Sequence, residues 1–475
     1  MKKRLLIALL LLGGIAHAQS VCDHALSFPG FNSYVDCGPG AFLQGEGQFT
    51  TQAWVNLTNP TLNQKIAGNI DPFSNSGYIL GVENGQLYCE VKDSTGFLNA
   101  FHAGTITANT WTHLAFTYKV GGTFKGYING NLVVSQPVTS IPIIHTGTTH
   151  FIIGAAPWDQ NYFDANGLID EVRVYSQERT VSQIRQDMRL KLQGPATGLI
   201  GSWSFSEGVG TSTLDRSGNN NNGALAGSFT VPTWQVTDGP YGEGEASLQV
   251  AVGTGPLSFP GTWLNLTFNT MNIADTFVVT HINCAPNVLP SGSVTYSDGY
   301  WVLDHYGPTA SYVNDFHFML PSATVDPMDE LMPSNIRLYN RAGFVTSSWL
   351  STNAATAASS SAATVDVNGV SYTGQFMLGT IGNSTLNVQD INLDAMVEVV
   401  PSPASDYCHI QLSNNQLIQQ VSLIDLNGRT VVDMRDLNNQ LDVYLDVHEL
   451  AAGYYTLKVS SATSMFIKKI VVNRP

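Results

Sequence analysis

Alternation with a period of two residues dominates this chain, and only one stretch turns clearly to helical spacing. In "FTTQAWVNL", Phe49, Thr51, Ala53, Val55 and Leu57 fall on one face of an extended strand; in "TWTHLAFTYKV", Leu114, Phe116 and Tyr118 do the same. Successive strand side chains point to opposite faces, so such stretches bury one face in a sheet. "KGYINGNLVV" sets Asn129-Gly130 between two extended runs, a strong two-residue hairpin signal because both residues accept positive φ. The helical exception is "RTVSQIRQDMRLKL", where Val181, Ile184 and Met188 share a face and Thr180 or Ser182 is the N-cap. Short strands parted by Gly and Asn turns predict an all-β, multidomain chain of sandwiches.

A length of 475 residues calls for two to four domains. Residues 1–18 read as a secretory signal peptide: basic "MKKR", apolar "LLIALLLLGGI", then "AHA" as a cleavage site. No later stretch is long and apolar enough for a transmembrane segment. "VTDGPYGEGEA" (Val236–Ala246) is Gly-rich and polar and reads as a linker; "VVPSPASDY" (Val399–Tyr407) reads as a strand followed by a domain entrance. These give domains at 20–238, 240–395 and 396–475. "STNAATAASSSAATVD" (Ser351–Asp366) is low in complexity and is expected to be a flexible loop within the middle domain. A formal charge of -15 argues against nucleic acid as a partner and leaves carboxylates for Ca²⁺. Cys22, Cys37 and Cys89 all fall in the first domain, where one pair is expected to form a disulfide in an oxidising compartment.

"GLIDEVRVY" (Gly167–Tyr175) raises the sharpest question. Strict alternation puts Leu168, Asp170, Val172 and Val174 on one face and Ile169, Glu171, Arg173 and Tyr175 on the other. Glu171 can pair with Arg173, whereas Asp170 sits on the more apolar side, where a carboxylate is costly unless something satisfies it. A substrate, a metal ion and a backbone amide are all open. Adjacent strand carboxylates face opposite ways, so Asp170 and Glu171 cannot jointly flank a glycosidic bond. The loop "PWDQNYFDANG" (Pro157–Gly167) carries Trp158, Tyr162 and Phe163 among Asp159, Asn161 and Asp164. Aromatic faces stack on sugar rings while amide and acid groups take the hydroxyls, so Trp158, Asp159, Asn161 and Tyr162 are candidate glycan-binding residues; packing on the rim is the alternative. Trp54 and Trp111 lie in strands and read as core. "DRSGNNNNG" (Asp215–Gly223) reads first as Asx turns and second as a cation loop. His448-Glu449 lacks the second His of a metalloprotease motif, and no nucleophile elbow, P-loop or dinucleotide fingerprint occurs.

Taken in order, "ALSFPGFNSYVDCG", "FTTQAWVN", "NTWTHLAFTYKVGGTFKGYINGNLV" and "FIIGAAPWDQNYFDANGLIDEVRVYSQERTVSQI" resemble a laminin-G-like, concanavalin A-like jelly roll. The resemblance implies two curved antiparallel sheets face to face. It also implies a structural Ca²⁺ held by an acid of the last strand and by backbone oxygens near the first, which maps onto Asp170, the carbonyl of Gly30 and Asp23. Phe28-Pro29-Gly30 stands where the family has Phe-Asp-Gly, so one carboxylate near that site is missing. Ca²⁺ accepts many neutral oxygens, so few carboxylates can suffice. The Glu-x-Asp-x-x-Glu strand of related β-glucanases is absent.

The middle region, with "TWLNLTFN", "TFVVTHI" and "GYWVLDHYG", reads as an Ig-like or related β-sandwich serving as spacer or second binding module. The last eighty or so residues closely resemble the type IX secretion C-terminal sorting domain of Bacteroidetes, a small Ig-like module. The motif residues are Pro401 and Pro403 of "PSPA", Gly428 of "LNGR", Gly453 of "LAAGYYTLKV" and Lys468-Lys469 of "FIKKIVV". Asn427-Gly428 is read as a hairpin turn and Gly453 as permitting a bend. The resemblance implies a partner in the outer-membrane export machinery and a secreted or cell-surface location. The expected function is binding, to a polysaccharide or glycoconjugate or to a surface protein. A polysaccharide-degrading enzyme and a purely structural surface protein are the alternatives.

Overall fold

A computed structural model describes residues 24–381 and 397–474 apart from short internal stretches, the longest being 40–46 and 139–148. The signal segment, Asp23, Asn161, Tyr162 and Gly428 lie outside the described residues. The chain is all-β and forms two compact units, residues 1–383 and 384–475.

Two sandwiches build the first unit. In the first sandwich, one sheet runs Asn131–Pro137, Thr123–Ile128, Thr112–Lys119, Gln48–Leu57, Asn166–Tyr175, His24–Pro29 and Thr233–Val236, with Leu199–Trp203 pairing to Asn166–Tyr175 as well. The facing sheet runs Ser212–Thr213, Gly223–Gly227, Ser33–Asp36, Ile152–Ile153, Gln64–Gly68, Tyr78–Glu83, Gln86–Lys92 and Leu98–Ala103. Phe49, Ala53, Val55 and Leu57 meet Leu114, Phe116 and Tyr118 in one core, as the alternation predicts. The hairpin falls at Asn129-Gly130, both with positive φ. The expected helix forms at Val181–Asp187, opens with a reciprocal capping box between Thr180 and Gln183 and buries Ile184.

Strict alternation breaks within Gly167–Tyr175. Along Asn166–Tyr175, Ile169, Val172 and Val174 all enter the core. Glu171 takes φ 49°, and the register with Gln48–Leu57 shifts between Asp170 and Arg173. This bulge inserts one residue and reverses the faces beyond it. Asp170 therefore points away from the sandwich core, while Glu171 and Arg173 do pair, both buried. The guanidinium of Arg173 also donates to the carbonyl of Asp187 at 3.0 Å.

The second sandwich stacks a seven-stranded sheet on a five-stranded one around Phe277, Trp301, Phe316, Phe318 and Phe376. Ser351–Asp366 is largely strand rather than a loop. Leu350–Ala354, Ala357–Ser359 and Thr364–Val370 pair in the sheets, and Val365 is buried. The stretch read as a linker is a seam between the sandwiches. Tyr241 is buried, Gly242 exchanges backbone hydrogen bonds with Arg189 and Lys191 at 3.0 and 2.8 Å, and Arg189 donates to the Pro240 carbonyl at 2.9 Å. Arg189, fully buried, makes a two-pronged pair with Asp304 of the second sandwich. Trp54 and Trp111 are core residues, as expected, buried with Tyr241 in a cluster of their own on the outer side of the first sheet.

The second unit packs Val397–Val400, Tyr407–Leu412 and Asp442–Asp446 against Thr430–Met434, Ile418–Ile424, Gly453–Ser461 and Met465–Val472, around Val399, Ile410, Leu423, Leu457 and Ile470. Pro401 and Pro403 are exposed just beyond its first strand, and the next residue, Ala404, donates to the Val471 carbonyl at 2.9 Å. Lys468 Nζ donates to the Val397 carbonyl at 2.6 Å, and Lys469 lies 3.9 Å over the Tyr454 ring. Gly453 opens its strand with open space where a Cβ would stand and without positive φ, so no bend there requires glycine.

Candidate functional site

The outward face of the second sheet of the first sandwich carries the chemistry. In Ser33–Asp36, Val35 turns to the core and Tyr34 and Asp36 turn out. In Gln86–Lys92, Leu87, Cys89 and Val91 turn in, so Tyr88 and Glu90 lie on the outer side. The loop after Ile152–Ile153 folds over this face and lays Trp158 on Ile70, Ile79 and Tyr88.

Three neighbouring cavities share residues along this face. One, of about 440 Å³, is lined by Asp36, His150 and Asn220–Asn222. The next, of about 470 Å³, shares Asp36 and His150 and adds Tyr34, Asp71, Phe73 and Trp158. The third, of about 270 Å³, shares Trp158 and adds Asn63, Lys65, Glu83, Tyr88, Glu90 and Phe163. His150 Nδ1 lies 2.7 Å from Asp36 Oδ1, which fixes both groups at the junction of the first two. Phe73 is 89% exposed beside them, an open apolar plate.

In the third cavity, Lys65 is only 3% exposed, with Nζ 3.9 Å from the Tyr88 ring centroid and 5.4 Å from that of Phe163. Burial lowers its pKa to about 8, against the opposing pull of Glu83 and Glu90. Burial likewise raises the Tyr88 phenol, which donates to Glu90. Glu83 pairs with His102 at 3.1 Å.

The predicted residues divide. Trp158 packs on Ile70, Ile79 and Tyr88 and also lines two of the cavities. Asp159 bridges back to Ala156 across a tight turn and lines none of the three cavities. Tyr34, Asp36, Lys65, Tyr88, Glu90 and His150 were not anticipated; the signal for Tyr88 and Glu90 is their alternation with Leu87, Cys89 and Val91.

Asp170 is answered by a phenol. Its Oδ2 accepts from Tyr241 at 2.7 Å, and its Oδ1 accepts from the Glu171 amide at 2.7 Å, holding the bulge. The expected partnership with Gly30 does not form: the strand register pairs Pro29 with Asn166, four residues along from Asp170, roughly 13 Å at strand rise. The carboxylate beside the Gly30 turn is Asp164. Its Oδ2 accepts from the Asn32 amide at 2.6 Å, while its Oδ1 is buried without a hydrogen-bond partner among the described residues. Burial raises the Asp164 pKa, and the Asn32 amide opposes that rise. An orphaned carboxylate oxygen suits a hard cation completed by neutral oxygens, so Asp164 fits Ca²⁺ better than Asp170 does. No cluster of three His, Cys, Asp or Glu side chains occurs among the described residues. In the polar turn, Asp215 accepts from the amides of Ser202, Ser217 and Asn221 at 3.0, 2.9 and 3.0 Å, which is the Asx-turn reading. Cys37 and Cys89 are free buried thiols, and any pair among the first three cysteines uses one of them, so the expected disulfide within the first domain is not formed.

A family model of the concanavalin A-like lectin/glucanases superfamily matches residues 29–185, and one of the secretion system C-terminal sorting domain matches residues 398–473. The first match stops short of Leu199–Trp203, Gly223–Gly227 and Thr233–Val236, which complete both sheets of the sandwich. No curated protein matches the chain. Among solved structures, a putative carbohydrate binding protein from Bacteroides ovatus is 22% identical, with 46% of this chain and 61% of that one covered and a TM-score of 0.37. A heptameric SAP-like pentraxin from Limulus polyphemus is 15% identical, with 45% and 98% covered and a TM-score of 0.32. Domain 4 of AbnA, an extracellular arabinanase from Geobacillus stearothermophilus, in complex with arabinotriose, is 21% identical, with 34% and 86% covered and a TM-score of 0.25. No helix among the described residues is long and apolar enough to cross a membrane.

Proposed function

We propose that this protein, a concanavalin A-like domain and a β-sandwich carried by a type IX sorting domain to the cell surface or the extracellular space, binds a glycan along the outer face of its second sheet. The observation that carries the reading is Trp158, which walls two adjoining cavities otherwise lined mostly by polar groups. Trp158 and Phe73 offer flat apolar faces to sugar rings, and Tyr34, Asp36 and His150 offer hydrogen bonds to hydroxyls. A polar groove with a few aromatic plates suits an extended hydrophilic chain better than a compact apolar ligand.

The test is retention of purified protein, residues 19–475, on a panel of immobilised polysaccharides. Trp158→Ala is expected to weaken retention at least about tenfold, the loss of an aromatic anchor worth ~1.4 kcal/mol or more. Unchanged retention in a folded variant would demote Trp158 to rim packing.

The structural Ca²⁺ belongs to this proposal in altered form. Asp164 would be its one carboxylate, and the ion would supply stability where the 30–32 turn meets the last strand, with no part in the groove.

A further inference from the structure

Lys65 is an expensive residue to keep. Its side chain is buried between two aromatic rings, and no carboxylate lies within ion-pair distance of Nζ among the described residues. The two nearby acids are engaged elsewhere, Glu90 by the Tyr88 hydroxyl and Glu83 by His102. An ammonium has three protons to donate, and a ring face satisfies none of them as an oxygen would. The same cavity holds a second group: Asn63 Oδ1 is buried without a hydrogen-bond partner among the described residues. Lys65 Nζ, without a hydrogen-bond partner among the described residues, and the buried Asn63 Oδ1 thus face one space of about 270 Å³. A hydroxyl-bearing ligand entering this space would meet both groups.

We infer that this cavity is a subsite for a single uncharged sugar residue, with Lys65 Nζ donating to and Asn63 Oδ1 accepting from its hydroxyls. The inference rests on the glycan reading above and narrows it. A hydroxyl donates and accepts at once, which matches a donor-only ammonium beside a carbonyl oxygen. Trp158, Tyr88 and Phe163 supply walls for the carbon face of the ring. The volume lies at the small end for a ligand pocket, which suits one ring rather than a run of them. The two carboxylates exceed the one ammonium in the lining, so a uronate or a sulfated sugar would meet net negative charge. Trp158 separates this cavity from the wider groove, so a bound chain would place one residue here and its neighbours beyond the indole.

The test titrates the protein, residues 19–475, with glucose, galactose, mannose, N-acetylglucosamine, glucuronate and galacturonate, read by tryptophan fluorescence, and repeats the polysaccharide panel. Saturable binding of at least one neutral sugar is expected. Lys65→Met and Asn63→Ala should each weaken it tenfold or more without lowering the melting temperature, and Lys65→Arg should keep part of it. Wild-type affinity in both variants would leave only water in the cavity and overturn the inference. Uronates binding more tightly than neutral sugars would overturn the uncharged class. Polysaccharides retained equally by wild type and Lys65→Met, with no monosaccharide bound, would sink the subsite and leave the groove standing. No retention of any glycan by wild type would remove the groove reading as well.

Discussion

Replacing Lys65 by Met should stabilise the first unit, and the amount should depend on pH in a calculable way. Burial lowers the lysine pKa from 10.5 to about 8. At about 1.36 kcal/mol per unit, the folded chain carries a penalty of ~3 kcal/mol while the group is protonated. Below pH 8 both states hold the proton and the penalty is full. Between about pH 8 and 10.5 the unfolded state keeps a proton that the folded state has lost, so stability rises with pH. Above that window the penalty is gone. Methionine has nearly the same reach without the charge, and replacing a buried unpaired charge by an apolar group is stabilising. All eight tryptophans precede residue 384, so their fluorescence reports unfolding of the first unit alone. Urea unfolding at pH 7 should show Lys65→Met more stable by about 3 kcal/mol, and the gap should close towards pH 10.5. A gap that is constant with pH, or a variant less stable than wild type at pH 7, would refute the reasoning. Stability gained while sugar affinity is lost is the pattern of a residue kept for function at a cost to the fold.

The seam between the sandwiches gives a second prediction: Asp304→Ala strands the fully buried Arg189 and should cost about 3–5 kcal/mol by the same fluorescence assay, whereas a loss below ~1 kcal/mol would show that the pair does not hold the seam. Wild-type melting temperature should rise in Ca²⁺ over chelator and Asp164→Asn should abolish the difference, while Asp170→Asn should lower both values alike; a calcium response lost only in Asp170→Asn would restore the earlier assignment. Removing residues 396–475 should leave the remainder in the periplasm of the producing cell, as followed by fractionation, and surface display of the truncated chain would refute the sorting role.

The legibility of the fold and the obscurity of the site have one physical cause. Core strands announce themselves because alternation is local: Phe49 to Leu57, Leu114 to Tyr118 and the Asn129-Gly130 hairpin need no distant partner to be recognised. The sorting domain is legible for the same reason, as a series of local motifs. Alternation misleads when one residue adopts a different backbone state, as at Glu171, where the side chain of Asp170 caps the very amide that the bulge displaces. Residue identities within "LIDEVRV" carry no mark of that extra residue, since Asp170 and Glu171 are as compatible with a regular edge. The groove is obscure because it is assembled from strands and loops far apart in the chain. Lys65 sits in "NQKIAG" like any surface lysine, and its burial is imposed by Tyr88 and Phe163, 23 and 98 residues away along the chain.

The two aspartates of the last strand and its approach make the same point chemically. Asp170 looked demanding because its neighbours are apolar, yet a tyrosine from the segment read as a linker satisfies it. Asp164, placed among polar loop residues, looked undemanding, yet one of its oxygens is buried without a partner among the described residues. Local hydrophobicity predicts whether a carboxylate will be buried, but not whether burial leaves it satisfied. That second property depends on what arrives from elsewhere in the fold. It is the property that distinguishes Asp170, whose two oxygens accept from Tyr241 and the Glu171 amide, from Asn63 and Asp164, each with an oxygen buried without a hydrogen-bond partner among the described residues.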